Sequence, residues 1–340
     1  MKFKTFAAFV APSLLLMVMF IAVPLVLVIG ESFYRTSPLM QTVEFESCTP
    51  GFGTQTCKIE TKIAPALDAG GNRVMQTEFV GLENYADVLE PQKVWAAAGA
   101  LNWAQVMDID FWRALRFTLS FTFITLPLVL GLGLALALAV NSLTRALRGP
   151  VIFVTLLPFI ITPVIGALAI RWLFVGDGIL TRAMEAWSGT DIAMFAQSWT
   201  IEGLMMFYRV WSSAPFAFVI FYAGLQGVNQ DAVEAAMIDG ANRWQRLRFV
   251  VIPSLMPLIV FVALIHLMDA YRVFDEVVGL RTQGHVISLQ YLTFDFLMPD
   301  ESGNRSVSRA AASSMLTMVG IVVLLIPMLR RTWAAEKGRA

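Results

Sequence analysis

The chain has 340 residues, of which 57% are apolar and 15% are charged. Soluble globular proteins carry about 45–50% apolar and about 25% charged residues, so this composition excludes an ordinary soluble domain. The 25 Lys and Arg balance the 25 Asp and Glu, which excludes the strong basic field of a nucleic-acid-binding protein. Together with a mean hydropathy of +0.67, the composition predicts a protein that crosses a membrane several times.

Six segments are long and apolar enough to cross a bilayer. A spanning helix needs about 20 mostly apolar residues, because about 30 Å of hydrocarbon is crossed at about 1.5 Å per residue. The first apolar run is longer than the roughly 7–15 residues of a signal peptide and lacks an obvious cleavage site, so we expect it to be retained. The predicted spans are residues 6–29, 115–140, 151–175, 201–225, 257–278 and 310–329.

The spans predict an all-α fold with one transmembrane domain. Residues 1–30 form the N-terminal end and the first helix, and residues 31–113 form a large outside loop. Residues 114–340 form a core of five helices that includes a long inside loop at 227–256. With both termini inside, the inside segments hold 11 Lys and Arg in 56 residues, against 10 in 138 residues outside. This bias predicts that both termini lie in the cytosol.

The two cysteines, Cys48 and Cys57, both fall in the first outside loop. They enclose a ring of ten residues in a compartment where disulfides persist if it resembles the periplasm. We expect a disulfide that orders the loop locally. The alternative is two free thiols in a flexible loop.

Several kinds of chemistry are absent from the sequence. None of the six lysines follows a glycine, so the chain has no phosphate-binding loop for ATP. The two histidines, His266 and His285, lack a ligand set for zinc, and we expect no bound metal. No Gly-x-Ser-x-Gly turn lies inside a span, which argues against a serine protease. We therefore expect a protein that is not an enzyme.

The third inside segment, residues 227–256, has the pattern of two short helices. Asn229 or Asp231 can cap the first helix, and Gly240 can end it with a positive φ. A basic amphipathic segment follows, and Pro253 is expected to end it before the fifth span. Either the segment is a solvated loop between two spans, or it is a docking surface for a cytosolic partner.

This segment resembles the EAA loop of the permeases of binding-protein-dependent ABC importers. The likeness rests on the run Glu234-Ala235-Ala236, on Asp239-Gly240-Ala241, and on Trp244, Pro253 and Pro257. It extends to Leu157-Pro158 and to Arg171-Trp172-Leu173-Phe174 in the third span. It also includes Phe274-Asp275-Glu276-Val277 near the fifth span. The similarity is greatest to the carbohydrate permeases of maltose or glycerol-phosphate type.

The resemblance implies a permease subunit of type I importer architecture in a bacterial inner membrane. Its partners would be a second permease, two cytosolic ATPases that bind ATP and Mg²⁺, and a periplasmic solute-binding protein. Glu234 would pair with a basic residue of the ATPase, and small residues would permit a close fit. The implied docking residues are Glu234, Ala235, Ala236, Asp239, Gly240 and Ala241.

Polar residues inside the fourth and fifth spans are candidates for the solute pathway, because charges in spans usually face an aqueous cavity. The candidates are Tyr208, Arg209, Trp211, Tyr222, Asp269, Tyr271, Arg272 and Asp275. Alternatively, Arg209 and Asp269 form a structural ion pair, and the aromatic residues belong to interfacial belts. A sharper hypothesis is that Arg209 or Arg272 faces an anionic group of the solute.

The predicted function is ATP-driven import of a carbohydrate or a related polar glycoside. A transporter driven by an ion gradient is the alternative. It would show an inverted repeat with helices broken at matching positions, and no such repeat is visible.

Overall fold

The structure is a computed structural model that describes residues 3–50, 55–68, 70–71, 73–100, 102–300 and 303–337. The chain divides into two units. The first contains residues 1–91 and 293–315, and the second contains residues 92–292 and 316–340. Residues 92–113, which the sequence assigned to the outside loop, therefore group with the core. Residues 293–315, which it assigned to the core, group with the first helix.

The first unit begins with a long apolar helix. It consists of α1 (Phe3–Met17), a π-helical turn (Val18–Ala22) and α2 (Val23–Glu31). The π turn lies directly before Pro24, whose ring would clash with the carbonyl of residue 20 in a regular helix. The 23 residues Phe9–Glu31 are long and apolar enough to span a membrane, as predicted.

Four strands, which were not predicted from the sequence, follow among the described residues of the first unit. β1 (Tyr34–Pro38) pairs with β4 (Met75–Phe79), and β2 (Met40–Pro50) pairs with β3 (Gln55–Pro65), both antiparallel. The next element is the helix α3 (Glu83–Leu89). Its Asn84 side chain donates hydrogen bonds to the carbonyls of Ser32 and Tyr34, at 3.0 and 2.9 Å. These bonds attach α3 to the residues that enter β1.

The remaining chain is helical wherever the structure assigns regular elements. The helices are α4 (Pro91–Gly99), α5 (Trp103–Met107), α6 (Asp110–Asn141), α7 (Arg145–Ile160), α8 (Pro163–Phe174), α9 (Ile179–Ser188), α10 (Ser198–Gln226), α11 (Gln230–Ile238), α12 (Arg243–Arg246), α13 (Ile252–Tyr271), α14 (Asp275–Gly279), α15 (Leu289–Asp295) and α16 (Val307–Lys337). A second π-helical turn, Leu247–Val251, joins α12 to α13. The predicted all-α transmembrane architecture is confirmed, and the four strands are an addition to it.

The packing of α6 against α10 is the centre of the second unit. Gly133 permits the contact, because a Cβ atom at this position would lie 2.5 Å from the Cβ of Ala217. Gly224 similarly allows α10 to approach Leu258 of α13. Close approach at small residues is the usual packing mode of membrane helices, because lipid provides no hydrophobic force to press helices together.

Two of the predicted spans need correction. The third is broken: α7 and α8 meet at 94°. Pro163 disfavours helical backbone at Thr162, the residue before it, and the backbone of Ile161 is extended as well. The fifth begins at Arg243 and ends at Tyr271, whereas residues 257–278 were predicted. The backbone leaves the helical region after Tyr271, and Asp275 starts the separate helix α14. The other four predicted spans each coincide with a helix that is long and apolar enough to span a membrane.

Candidate functional sites

A helix–turn–helix, which we call the elbow (residues 229–246), lies between α10 and the fifth span. The side chain of Asn229 caps α11 by accepting a hydrogen bond from the Asp231 amide at 2.9 Å. At the other end, Gly240 has a φ of +82° and donates to the Met237 carbonyl, while Ala241 donates to the Ala236 carbonyl. This pair of bonds is a Schellman motif, which satisfies the last carbonyls of the helix. The predicted cap and the predicted glycine turn are both confirmed.

The second arm of the elbow is continuous with the fifth span. Asn242 and Gln245 form a reciprocal capping box, with both hydrogen bonds at 2.8 Å. The helix then passes through the π turn Leu247–Val251 and enters α13 without a break. The prediction that Pro253 ends this segment is therefore wrong. The π turn absorbs the missing N–H and the ring of Pro253, so the helix continues.

The elbow exposes both charged and apolar side chains. Glu234, Ala235 and Asp239 are exposed, and within the described part of the chain Glu234 forms no ion pair. Ala236 and Ala241 are half-buried. Two large side chains outside the predicted docking set are also exposed, Ile238 (88% exposed) and Trp244 (64%). Ile238 and the neighbouring Met237, which is 48% exposed, form an apolar pair directly before Asp239 and the Gly240 turn, and this pair was visible in the sequence.

Three charged side chains form a second site, which we call the charge cluster (Arg209, Asp269 and Glu276). Arg209 Nη1 lies 2.5 Å from Asp269 Oδ2, and Arg209 Nε lies 2.6 Å from Glu276 Oε1. The Arg209 guanidinium also lies over the ring of Phe121, 5.7 Å from its centroid. The cluster thus joins α6, α10, α13 and α14. Arg209 and Asp269 form the ion pair that the sequence offered as the structural alternative.

The carboxylates of the charge cluster differ in exposure. The Glu276 side chain is 1% exposed, and its Oε2 atom has no hydrogen-bond partner among the described residues. The Asp269 side chain is 67% exposed. Glu276 was not predicted as a site residue, although it was visible as a charge in the fifth span. Its importance comes from contact with a helix 67 positions earlier in the chain, which no local pattern indicates.

Next to Asp269 lies an open space of about 150 Å³, which we call the cleft. Asp269, His266 and Ser213 provide its polar wall. His266 Nε2 is 3.1 Å from the hydroxyl of Thr125. The rings of Phe159 and Phe216 are stacked, with centroids 5.8 Å apart and planes at 24°. The cleft is lined by Val129, Phe159, Ser213, Phe216, Val262, Ile265, His266 and Asp269.

Comparison with known proteins decides the family. Residues 128–329 match the family described as the binding-protein-dependent transport system inner membrane component. The chain belongs to this family. The match includes the elbow, the charge cluster and the cleft, so the resemblance found in residues 234–257 is confirmed. No finding supports the alternative of a transporter driven by an ion gradient.

Relatives of this transport family are similar to the chain over most of its length. The trehalose/maltose transport system permease protein MalF of Thermococcus litoralis is 28% identical over 271 residues, or 76% of this chain and 81% of that protein. The trehalose transport system permease protein SugA of Mycobacterium tuberculosis is 29% identical over 266 residues, or 77% and 78%. The sn-glycerol-3-phosphate transport system permease protein UgpA of Shigella flexneri is 25% identical over 259 residues, or 75% and 80%.

A solved structure shows the same fold. It is the crystal structure of a bacterial ABC transporter involved in the import of the acidic polysaccharide alginate. The TM-score is 0.60 at 19% identity, and the match covers 66% of this chain and 80% of that one. The polytopic helical fold of this chain is therefore shared with a chain of that transporter.

The other predicted pathway residues lie in different environments. Tyr208 is buried, and its hydroxyl donates to the carbonyl of Pro163 at 2.8 Å. Tyr271 is also buried. Trp211 is 37% exposed and packs beside Tyr208. The remaining three residues are Tyr222 and Asp275, which are half-buried, and Arg272, which is exposed at the end of α13.

The hairpin of β2 and β3 bears on the predicted disulfide. Cys48 and Cys57 are directly opposite each other in the register of β2 and β3. Directly opposite residues of an antiparallel pair have Cα atoms about 4.5–5.5 Å apart, within the range of a disulfide. Both side chains lie outside the described part of the structure, so the bond itself stays a prediction. For metals, no group of three His, Cys, Asp or Glu suited to bind an ion occurs among the described residues.

Proposed function

We propose that the chain is the permease subunit of an ATP-driven importer of a carbohydrate or related polar glycoside. Membership of the transport family supports the importer, and the printed functions of MalF and SugA support a sugar as solute. The partners would be a second permease, two cytosolic ABC ATPases and a periplasmic binding protein. ATP and Mg²⁺ would be bound by the ATPases and not by this chain.

The observation that carries the proposal is the continuity of the elbow with the fifth span. The capping box and the Schellman motif fix the ends of α12 and α11, so the turn between them is held by hydrogen bonds on both sides. A displacement of α11 would then move α12 and α13 with it, because no loop separates α12 from α13. Movement of packed helices as bodies is a known way to convert a local contact into a domain motion.

The exposed surface of α11 fits a docking role. Glu234 offers a carboxylate without an ion-pair partner in the described residues, which suits a basic side chain of the ATPase. Ala235 and Ala236 let another backbone approach closely, and Ile238 offers an apolar side chain for a pocket. Asp239 and Ala241 flank the Gly240 turn and complete the docking surface.

The proposed orientation places the elbow and both termini in the cytosol. The concentration of Lys and Arg in the inside segments supports it. The proposed location is the bacterial inner membrane, with the solute arriving from the periplasmic side. We place the solute pathway beside α10 and α13. Asp269, whose side chain is 67% exposed, is the first candidate for contact with the solute, and Trp211, Tyr222, Arg272 and Asp275 are further candidates.

Charge reversal at Glu234 tests the docking role. In cells that express the whole transporter, Glu234→Lys should abolish solute uptake and should reduce the ATPase recovered with the affinity-purified permease at least tenfold. The amount of permease in the membrane should stay unchanged, because Glu234 is exposed and makes no ion pair among the described residues. The matched control is Glu78→Lys, at an exposed glutamate in β4. Normal uptake and normal ATPase recovery in Glu234→Lys would remove the elbow from the mechanism.

A further inference from the structure

The short helix α9 is held to the protein along one of its faces. The Thr181 hydroxyl, in a residue that is 2% exposed, donates a hydrogen bond to the carbonyl of Phe174 at 2.8 Å. On the same side of the helix, Glu185 Oε1 accepts a hydrogen bond from the amide of Ile192 at 3.1 Å. These bonds join α9 to the end of α8 and to the segment that follows α9. They therefore fix which face of the helix turns outward.

The outward face of α9 is apolar. Ile179, Ala183 and Trp187 are spaced four positions apart, so they form one row along the helix, which we call the apolar row. Ile179 is 76% exposed, Trp187 is 92% exposed, and Ala183 is exposed as well. An exposed apolar row opposite a polar face is typical of a helix that lies on a membrane surface or docks on another protein.

The position of α9 in the chain favours the membrane surface. The helix α8 is the second half of the third span and ends at Phe174, and the fourth span, α10, begins at Ser198. The chain leaves the membrane after α8 and enters it again at α10, so both ends lie at the same membrane surface. Because Thr181 is bonded to Phe174, α9 is held at the level of that surface.

Two other exposed tryptophans lie at the ends of the spans that α9 connects. Trp172, 69% exposed, comes two residues before the end of α8, and Trp199, 71% exposed, is the second residue of α10. Ile165 and Ala169 are exposed on the same side of α8 as Trp172. Tryptophan is enriched at membrane surfaces, because its ring is apolar and its N–H is polar. Trp187 is thus a third exposed tryptophan at this surface, which favours lipid over protein as the cover of the apolar row.

We propose that α9 lies flat in the lipid headgroup region and inserts the apolar row into the bilayer. Arg182 lies beside the row and stays hydrated together with Asp177, with which it pairs at 3.2 Å. The helix then anchors the end of the third span to the membrane surface. The inference requires only that the chain crosses a membrane, and the proposed orientation assigns α9 to the periplasmic leaflet.

A photoreactive diazirine side chain at residue 187 tests what covers the apolar row. In membranes from cells that express the whole transporter, illumination should attach this side chain mainly to phospholipid. Mass spectrometry detects the product as the peptide that contains residue 187 with the added mass of one phospholipid. Residue 179, in the same row, serves if the side chain at residue 187 prevents folding.

Ser188 provides the matched control. It is exposed in the same helix and lies outside the apolar row. The same photoreactive side chain at residue 188 should react mainly with water, and its phospholipid adduct should be about tenfold less abundant than that of residue 187.

Either of two results would overturn the inference. If residue 187 reacts mainly with water, as residue 188 does, the apolar row is solvated. If it attaches mainly to a polypeptide, the row docks on a second permease or on the binding protein. Both results leave the importer function intact, because that function is measured separately by uptake in cells.

Discussion

The elbow and the charge cluster are two polar regions in opposite environments. In the elbow, each cap joins residues no more than five positions apart, and Glu234 and Ile238 face outward. In the charge cluster, the contacts join four helices, and Arg209 and Glu276 are buried. A region held by local bonds keeps its shape when it moves as a body. A region held by long-range ion pairs fixes helices to each other. Substitutions in the elbow should therefore damage coupling first, and substitutions in the cluster should damage stability first.

Arg209→Ala is expected to have the largest effect on stability. It leaves the carboxylate of Glu276 buried without a counter-charge, and loss of one partner of a buried pair costs about 3–5 kcal/mol. The yield of purified chain and its thermal midpoint in detergent should both fall. The double variant Arg209→Met with Glu276→Leu should recover part of the loss, because it removes both buried charges.

Asp269→Asn is the matched comparison for that prediction. Because the Asp269 side chain is 67% exposed, water already stabilises its charge, and the thermal midpoint should change much less. A thermal midpoint for Arg209→Ala equal to that of the unchanged protein would show that the cluster does not hold the helices together.

Two glycines of α6 test the packing of α6 against α10. Gly133→Ala should destabilise the chain by about 1–3 kcal/mol, because the new Cβ would overlap Ala217 and approach the backbone of Phe218. Gly131→Ala, in the same helix, meets no atom within 4 Å and should be neutral or slightly stabilising. Thermal unfolding in detergent measures both. Equal midpoints for the two variants would contradict the close approach of α6 and α10.

Gly240→Pro tests the elbow at its turn. Proline cannot adopt a φ of +82°, so the Schellman motif is lost, and solute uptake should fall at least tenfold while the chain stays in the membrane. Gly189→Pro is the matched control, because Gly189 ends α9 with a φ of +71° and likewise meets no atom within 4 Å. It should keep most of the uptake. If both variants transport equally well, the shape of the elbow has no role in coupling.

Asn242→Ala should have the smallest effect. It removes one half of the capping box, and the loss of this cap should destabilise the start of α12 by about 1 kcal/mol. Uptake should fall a few-fold, and the thermal midpoint of the whole chain should stay nearly constant. Asn242→Ser, which keeps the capping oxygen, should restore uptake. A large fall in the thermal midpoint would show that the elbow also supports the fold.

Local features of this chain could be predicted from sequence, and contacts between distant residues could not. The turn at Gly240 was predicted, and Asn229 was one of the two caps predicted for α11; both features depend on residues a few positions apart. The continuation of the helix through Pro253 was not predicted, because a π turn can accommodate a proline that would otherwise end a helix. The alternation of Ile59, Thr61 and Ile63 was a signal for the unpredicted hairpin.

The candidate sites show the same difference between local features, which could be predicted, and contacts between distant residues, which could not. The proposed docking residues lie in one continuous stretch of sequence, so a local pattern could indicate them. Glu276 was missed because its partner, Arg209, lies in another helix. The cleft likewise needs α6, α7, α10 and α13 together, which only a tertiary structure provides.

Site-specific crosslinking at Ile238 tests the central claim most directly. With a photoreactive side chain at this position, 88% exposed on the elbow, the intact transporter in cells should give a crosslink to a polypeptide that contains the phosphate-binding loop of an ATPase. The same side chain at Trp187, 92% exposed in α9, should give none. A crosslink from residue 238 to the periplasmic binding protein, or an ATPase crosslink from residue 187 alone, would contradict the account.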